Sequence, residues 1–185
     1  MAKAKHTIRI ISGTHRSRRI PVLDFEGLRP TGDRVRETAF NWLQMNLQGM
    51  IILDLCAGAG ALGFEAASRE AKQVILIEKN IRIANQLSQI SAQFEFSNCM
   101  VRNQTAESYL SKNDQLFDVV FLDPPFSLGM MQKLTDSVIP FVNINGFVYR
   151  EASISEDLIK LPENWQLYRF KAMGQVKIEL WKRIS

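Results

Sequence analysis

The sequence predicts an α/β fold whose sheet is mainly parallel, and three observations support this prediction. Between residues 50 and 152, short apolar runs alternate with amphipathic stretches in a repeated β-α rhythm. The apolar runs are continuous, which is typical of strands that helices cover on both faces. Near the end of the chain, two strand-like runs at 166–172 and 175–182 are separated only by Met173 and Gly174. This short gap predicts an antiparallel hairpin that completes a seven-stranded sheet.

The individual elements follow from the same patterns. Alternation at 7–12 and an apolar run at 20–23 predict a β-hairpin with the basic segment THRSRR at its turn. Asp33 is a candidate cap for a helix over about 34–47. The other predicted strands are 51–55, 73–78, 99–103, 117–123 and 146–152, and the other predicted helices are about 60–69, 80–92, 105–111 and 128–139.

Length and composition indicate one globular domain over residues 1–185. The chain is 46% hydrophobic and 23% charged, and no apolar run approaches the roughly 20 residues that a membrane span requires. The N-terminus lacks the apolar stretch of a secretory signal. The two cysteines, Cys56 and Cys99, are too few and too far apart to predict a disulfide framework or a metal site. We therefore expect a cytoplasmic monomer that uses no metal ion.

Positive charge is concentrated at the start of the chain. Residues 1–36 carry nine Lys or Arg and three Asp or Glu, whereas residues 37–185 carry fourteen and sixteen. This density can neutralise several phosphates, so we interpret 1–36 as a basic extension that binds nucleic acid and 37–185 as the catalytic core. The candidate phosphate contacts are Arg9, Arg16, Arg18 and Arg19, together with Lys3, Lys5, His6 and His15.

A nucleotide-type cofactor site is predicted where the strand at 51–55 ends. The segment ILDLCAGAGALG places Asp54 near the strand end and matches GxGxxG with Gly58, Gly60 and Gly63. Glycines let the backbone approach a ligand closely, and the following helix N-terminus offers free N–H groups. The glycine pattern alone fits either NAD or S-adenosylmethionine.

Two acidic residues favour S-adenosylmethionine. Asp54 is placed to receive the amino-acid end of this methyl donor, whereas it would repel a pyrophosphate. Glu78 ends the next strand and can accept both ribose hydroxyls, although NAD would use the same acid. The remaining candidate cofactor contacts are Cys56, Ala57, Thr105 and Ala106.

The segment FDVVFLDPPF gives the strongest indication of chemistry. Its apolar strand stops at four candidate catalytic residues, Asp123, Pro124, Pro125 and Phe126. The prolines stiffen the loop, so that its carbonyl groups can point into the mouth of the sheet. The Asp123 carboxylate and the Pro124 carbonyl can then accept both hydrogens of an exocyclic amine, and Asp123 can take the proton. Phe126 is placed to stack on a base that has been turned out of its helix or loop.

Methylation at a pyrimidine carbon would instead need a thiolate nucleophile, for which Cys56 is a candidate. Cys56 lies inside the cofactor turn, where a small buried residue is ordinary, and no cysteine accompanies the two prolines. We therefore exclude this chemistry.

Together these motifs resemble the RsmD-type 16S rRNA guanine-N2 methyltransferases of bacteria, over nearly the full chain. The resemblance rests on RIISG at 9–13, LRPTGDRVRET at 28–38, LDLCAGAGALG at 53–63, DPPF at 123–126 and GQV at 174–176. The glycine loop and DPPF occur in many methyltransferases, whereas RPTxDRVRE is far more selective. Thr105 departs from the family pattern, in which Asn or Asp often follows the third strand.

The resemblance implies a Rossmann-like class I methyltransferase fold with a small basic N-terminal β-hairpin extension, and S-adenosylmethionine as donor. It implies one guanine of 16S rRNA as substrate, numbered 966 in the family's rRNA nomenclature, within an assembling or assembled small ribosomal subunit. It also implies that the following residues line the site between cofactor and RNA: Arg29, Thr31, Arg34, Arg36 and Glu37.

Three other functions fit parts of the pattern. An adenine-N6 methyltransferase of RNA or DNA would use the same Asp-Pro-Pro-aromatic loop, although DNA enzymes usually carry a target-recognition domain. An NAD-dependent oxidoreductase would account for the glycine loop but not for DPPF. A non-catalytic RNA-binding module would use only the basic N-terminal segment.

Overall fold

The computed structural model describes residues 6–22, 32–43, 47–124, 130–156 and 161–185. An antiparallel hairpin of β1 (His6–Arg9) and β2 (Arg19–Val22) precedes helix α1 (Asp33–Leu43). The strands that follow are β3 (Ile51–Asp54), β4 (Gln73–Ile77), β5 (Cys99–Arg102), β6 (Phe117–Leu122), β7 (Val142–Ser153), β8 (Trp165–Met173) and β9 (Val176–Arg183). The connecting helices are α2 (Ala61–Ser68), α3 (Ile81–Gln93), α4 (Ala106–Leu110) and α5 (Met130–Val138), followed by a 3-10 turn, Ile139–Phe141.

The seven later strands form one sheet in the order β5-β4-β3-β6-β7-β9-β8. Neighbouring strands are parallel except that β9 is antiparallel to both β7 and β8. This topology, with the separate N-terminal hairpin, confirms the predicted Rossmann-like α/β fold with a mainly parallel seven-stranded sheet. The chain builds outward from β3 to β5 and then returns to the other side of β3 at β6. The carboxyl ends of β3 and β6 therefore flank the switch point at which open α/β sheets bind ligands.

Two apolar cores lie on opposite faces of the sheet and explain its continuously apolar strands. Ile52 and Phe121 pack on the face that α1, α2 and α3 cover. Leu53 and Val120 pack on the opposite face, against α4 and α5. Because adjacent strand residues point to opposite faces, both faces of β3 and β6 need apolar side chains.

The N-terminal hairpin packs against the first of these cores. Its inward side chains are at most 4% exposed: Ile8, Ile10, Ile20 and Val22. At its turn, Gly13 has a φ of +85°, and a Cβ there would lie 1.8 Å from the Ser68 carbonyl oxygen. Only glycine fits this contact, which explains the Gly of RIISG.

Some boundaries differ from the sequence prediction. Asp33 is the first residue of α1, and the Gly32 carbonyl accepts the N–H groups of Val35 and Arg36. Because α1 runs through residue 36, the expected boundary between a 1–36 extension and a 37–185 core falls inside a helix. Strand β7 begins at Val142, four residues earlier than predicted, since this residue pairs with Phe117 across a register shift. Within the described ranges, no helix is long and apolar enough to cross a membrane.

Candidate active site

The predicted glycine loop forms a tight turn between β3 and α2. Gly58 and Gly60 have φ angles of +49° and +75°, in the region that favours glycine. A Cβ on Gly60 would come within 2.7 Å of side chains of α2 and α3. A Cβ on Gly63 would lie 2.9 Å from a side chain of β4. The three glycines therefore hold α2 close to the carboxyl edge of the sheet.

Asp54 is the last residue of β3 and is only 2% exposed. Its Oδ2 accepts the N–H of Gly63 at 3.0 Å, so the carboxylate faces the first turn of α2. Burial and then the negative charges of Asp123 and Glu78 raise the pKa of Asp54 to about 7. Three carboxyl groups therefore influence one another at this edge, and their repulsion favours a cationic ligand.

Glu78 follows β4 directly and joins the glycine turn to α3. Its Oε2 accepts the N–H of Gly58 at 3.0 Å, and its Oε1 accepts the N–H of Asn80 at 2.7 Å. The N–H of the buried Ala57 donates to the Ile77 carbonyl at 2.9 Å. The Gly58 and Ala57 amides are thus engaged within the protein, unlike the amides that cradle a pyrophosphate in a dinucleotide site.

Asp123 and Pro124 follow β6, the strand adjacent to β3. The Asp123 side chain is half-buried and Pro124 is buried. The sheet therefore brings Asp123 to the same edge as Asp54 and Glu78, as the sequence predicted. The other two candidate catalytic residues, Pro125 and Phe126, lie outside the described residues.

Strand β7 adds a carboxylate that sequence reasoning did not find. Glu151 is 6% exposed, and its Oε2 accepts the hydroxyl of Tyr149 at 3.4 Å. Burial and the charges of Glu151 and Asp123 raise the pKa of Tyr149 well above its ordinary value. Glu151 and Asp123 therefore lie on the same side of the sheet edge. The signal in the sequence was an acid near the end of an apolar strand, YREAS.

Cys56 lies two residues after the end of β3 and is half-buried. Burial raises the pKa of its thiol far above the ordinary value, and the negative charges of Asp54, Asp123 and Glu78 act in the same direction. The thiol therefore stays protonated at neutral pH, which agrees with excluding it as a nucleophile.

Beyond β5, Thr105 acts as the cap of α4. Its hydroxyl accepts the N–H of Ser108 at 3.1 Å, and Ala106 is the first helical residue. Asn103, which sequence reasoning passed over, donates through Nδ2 to the carbonyls of Glu78 at 2.9 Å and Lys79 at 3.0 Å. Asn103 thus fixes the loop after β4 that carries Glu78.

Arg36 is the residue whose position differs most from expectation. Its side chain has no exposed surface. Its Nη2 donates to Asp33 Oδ1 at 2.7 Å and to the Arg9 carbonyl at 2.8 Å, while its Nη1 lies 3.6 Å from Glu65 Oε2. The structure corrects the interpretation of Arg36 as an RNA-side residue, because full burial leaves its guanidinium no surface to offer.

The partner of Arg36, Glu65 in α2, is also fully buried. Its Oε2 accepts the N–H of Ile11 at 2.7 Å, and its Oε1 accepts the N–H of Ser12 at 3.1 Å and Arg69 Nε at 2.8 Å. Sequence reasoning missed this residue, although a single acid in the apolar helix ALGFEAAS is a visible signal. Glu65 holds the N-terminal hairpin against the helix that begins at the glycine turn.

Several predicted phosphate contacts do lie on the surface. Arg16, Arg19 and Arg34 are exposed. Arg9 is exposed over 51% of its side chain and lies 3.7 Å from Asp33. Lys3, Lys5, Arg29 and Thr31 lie outside the described residues.

Arg18 is exposed but lies 5.2 Å from the centroid of the Phe94 ring. His15 is a packing residue: its Nε2 lies 2.7 Å from the Phe94 carbonyl, and its ring lies 4.2 Å from that of Phe96. The turn of the hairpin is therefore held against the end of α3.

Comparison with known proteins gives a consistent result. The family model described as Conserved hypothetical protein 95 matches residues 8–182. Ribosomal RNA small subunit methyltransferase D of Haemophilus influenzae is 42% identical over 185 residues, covering 97% of this chain and 95% of that protein. The protein of the same name in Escherichia coli K12 is 40% identical, covering 99% and 96%. The solved structure of yhhF from Escherichia coli has a TM-score of 0.90 and 37% identity, covering 97% and 99%.

These matches extend over the hairpin, the glycine turn and the Asp-Pro-Pro loop together. The family model and the two relatives each cover more than nine-tenths of the chain. This chain therefore belongs to the RsmD family of methyltransferases, the family described as Conserved hypothetical protein 95.

Proposed function

We propose that this protein transfers a methyl group from S-adenosylmethionine to the exocyclic N2 of a guanine in 16S ribosomal RNA. The observation that supports this most strongly is the meeting of Asp54, Glu78 and Asp123 at the switch point of the sheet. Burial is the main cause of the raised pKa of Asp54, and the negative charges of Asp123 and Glu78 raise it further, so a ligand that carries positive charge would be favoured at this edge.

The residues around the glycine turn fit a sulfonium donor better than a dinucleotide. S-adenosylmethionine supplies a methyl group activated by a positively charged sulfur, and it also carries an ammonium group. Asp54 would hold its amino-acid end and Glu78 its ribose hydroxyls. The other proposed contacts are Cys56, Ala57, Gly58 and Gly60 in the turn, and Thr105 and Ala106 beside the adenine. A pyrophosphate would be repelled by the same carboxylates.

Asp123 and Pro124 would orient the target amine. The Asp123 carboxylate accepts one N–H and the Pro124 carbonyl accepts the other, which turns the nitrogen lone pair towards the activated methyl group. The N–C bond forms as the C–S bond breaks, and the nitrogen then loses a proton that Asp123 can accept and pass to water. Pro125 would keep the loop stiff, and Phe126 would stack on the base.

Glu151 favours guanine over adenine as the base. The Watson–Crick edge of guanine offers an N1–H donor beside its amine, whereas adenine offers a bare N1 acceptor beside its amine. A second carboxylate next to Asp123 can accept the guanine N1–H and would repel the lone pair of adenine N1. We therefore assign Glu151 to base recognition within the proposed reaction.

Basic side chains on the hairpin and the start of α1 support an RNA substrate. The described members are Arg9, Arg16, Arg18, Arg19 and Arg34, and we extend the set to Arg29. We also propose the hydroxyl of Thr31 as an uncharged RNA contact. The two relatives are each named Ribosomal RNA small subunit methyltransferase D. We therefore propose small-subunit ribosomal RNA, in an assembling or assembled subunit, as the substrate. The basic hairpin would be its RNA-binding element.

The test uses methyl-labelled S-adenosylmethionine and small ribosomal subunits from cells that lack this activity, followed by digestion to nucleosides. We expect label in N2-methylguanosine, its loss with Asp123→Ala, and its retention with Asp114→Ala, an exposed aspartate before β6. Label in N6-methyladenosine would replace guanine by adenine as the target. The absence of label from subunits and from naked RNA would refute the substrate assignment.

A further inference from the structure

The edge strand β8 carries exposed aromatic and basic side chains that the proposed reaction does not use. Among the described residues β8 pairs only with β9, and every residue from 166 to 172 is exposed. The exposed fraction is 39% for Tyr168 and 47% for Phe170. We refer to Tyr168, Arg169, Phe170 and Lys171 as the β8 surface.

Tyr168 and Arg169 form a stacked pair on this strand. The Arg169 guanidinium carbon lies 4.2 Å from the centroid of the Tyr168 ring. The ring centroid of Phe147, on β7, lies 5.6 Å from that of Tyr168. The register of β8 against β9 shifts between Leu167 and Arg169, which leaves Tyr168 as the additional residue of a bulge. Bulges redirect side chains and are common at sheet edges. The result is a fixed ring and guanidinium on which a base can stack.

The charged side chains of β8 are all positive. Strand β8 contains Arg169 and Lys171 and no acid. The one acid of β9, Glu179, is 1% exposed and pairs with Arg150 at 2.9 Å. No exposed carboxylate on either strand therefore offsets the positive charge, and a polyanion is the complementary partner.

The β8 surface lies within reach of the active site. Lys171 is opposite Ile178 on β9, and Ile178 is opposite Glu151 on β7. Lys171 therefore lies at the same height in the sheet as Glu151, close to the carboxyl edge. Three strand spacings separate β8 from β6, a distance of about 14 Å. One short RNA segment can therefore contact both places.

We propose that the β8 surface binds RNA beside the target nucleotide. Arg169 and Lys171 contact phosphates, and Tyr168 stacks on a neighbouring base. Basic residues also protect a sheet edge against strand pairing, but exposed aromatic rings promote association and are not explained by that role. This inference rests on the proposed function, because it takes RNA as the substrate.

The first test measures how RNA binding depends on salt for Arg169→Gln/Lys171→Gln. A fragment of 16S rRNA is the probe, and the control is Lys72→Gln/Lys112→Gln, which removes two exposed lysines that precede β4 and β6. The slope of log K against log salt should fall by about 1.4 to 1.8 in the first variant and stay unchanged in the control. Equal slopes in wild type and both variants would overturn the proposal.

A second test separates stacking from charge. Tyr168→Ala should weaken RNA binding about fivefold or more, whereas Tyr168→Phe keeps the ring and should bind like wild type. The KM for subunits should rise in the Ala variant with little change in kcat. Wild-type binding by Tyr168→Ala would contradict the proposal. A wild-type protein that forms a dimer, together with β8 variants that are monomeric, would also contradict the proposal, because β8 would then be a protein interface.

These outcomes are distinct from a failure of the proposed function. If wild-type protein methylates no RNA, the proposed function fails whatever the β8 variants do. If it methylates guanine while the β8 variants keep the wild-type KM and salt slope, only the β8 proposal fails. The substituted arginine and lysines are exposed, so the Gln variants should keep the wild-type melting temperature. Tyr168→Ala also removes a contact with Phe147, so its RNA binding is measured well below its own melting temperature.

Discussion

Arg36 and Glu65 form an ion pair inside the protein, with 3.6 Å between Arg36 Nη1 and Glu65 Oε2 and no exposed surface on either side chain. The pair joins α1 to α2. Because Glu65 also accepts the backbone N–H groups of Ile11 and Ser12, one buried carboxylate connects the N-terminal hairpin, α1 and the helix that begins at the glycine turn. The selective segment RPTGDRVRE therefore includes a structural arginine.

Removing this guanidinium should destabilise the fold. Arg36→Met leaves the Arg9 carbonyl without this donor and leaves Glu65 paired with Arg69 alone among the cations that contact it in the described residues. The free energy of unfolding should therefore fall by about 1–3 kcal/mol. Urea denaturation measures this free energy. Arg34→Met is the control, because Arg34 lies two residues earlier in the same helix and is exposed. The control should stay within about 0.5 kcal/mol of wild type. Equal stability of the two variants would contradict the structural role of Arg36.

Alanine substitution should destabilise the protein more at Gly13, in the turn between β1 and β2, than at Gly174, in the turn between β8 and β9. Gly13→Ala combines a φ of +85° with a Cβ 1.8 Å from the Ser68 carbonyl oxygen. Gly174→Ala has a φ of +64° and no atom within 4 Å of its Cβ. The Gly174 variant should lose about 1–2 kcal/mol from backbone strain alone, and the Gly13 variant clearly more. Thermal melting compares the stability of the two variants. Similar losses of stability would show that the N-terminal hairpin turn can shift away from Ser68 of α2 at little cost.

Asp54 predicts how stability depends on pH. Its pKa in the folded protein is about 7, against an ordinary value of 3.8, so folded protein holds this proton more tightly than unfolded chain. The contribution of Asp54 to the free energy of unfolding should therefore fall as pH rises from about 4 to about 7. Asp54→Asn removes this contribution and should flatten the pH dependence in urea denaturation. An unchanged slope would mean that Asp54 is not protonated in the folded state.

Most of the fold follows from the sequence because the β-α rhythm and the apolar strands report burial on both faces of a sheet. The start of β7 could not be predicted from the sequence, since Asn143, Asn145 and Gly146 are residues typical of turns. In the structure Asn145 has a φ of +66°, and the strand continues through it because Val142 pairs with Phe117. Pairing across strands decided this boundary over local preference.

The site divides in the same way. Asp54, Glu78 and Asp123 could be placed together because Asp54 ends one strand and the other two directly follow neighbouring strands of one parallel sheet. Arg36 could not be placed, since its partner Glu65 lies in another helix and a basic run gives no sign of which arginine turns inward. Glu151 needed the order of β6 and β7, which brings it beside Asp123.

Glu151 predicts a change in base preference. Glu151→Gln keeps the size of the side chain but removes its charge, which weakens the proposed bond to guanine N1–H and removes the repulsion of adenine N1. We expect kcat/KM for guanine to fall about tenfold or more, and the ratio of guanine to adenine methylation to fall with it. Glu163→Gln, at an exposed position before β8, is the control. An unchanged ratio would exclude Glu151 from base recognition.

The most direct test of the central claim is single-turnover methyl transfer to small ribosomal subunits by wild type and Asp123→Ala, with donor binding measured in parallel by calorimetry. If Asp123 acts on the amine beside a donor site formed by Asp54 and Glu78, the variant should bind S-adenosylmethionine within a few-fold of wild type. Its methyl transfer should then be slower by roughly 10²–10⁴-fold. Methyl transfer to guanine N2 at the wild-type rate by Asp123→Ala would contradict the account.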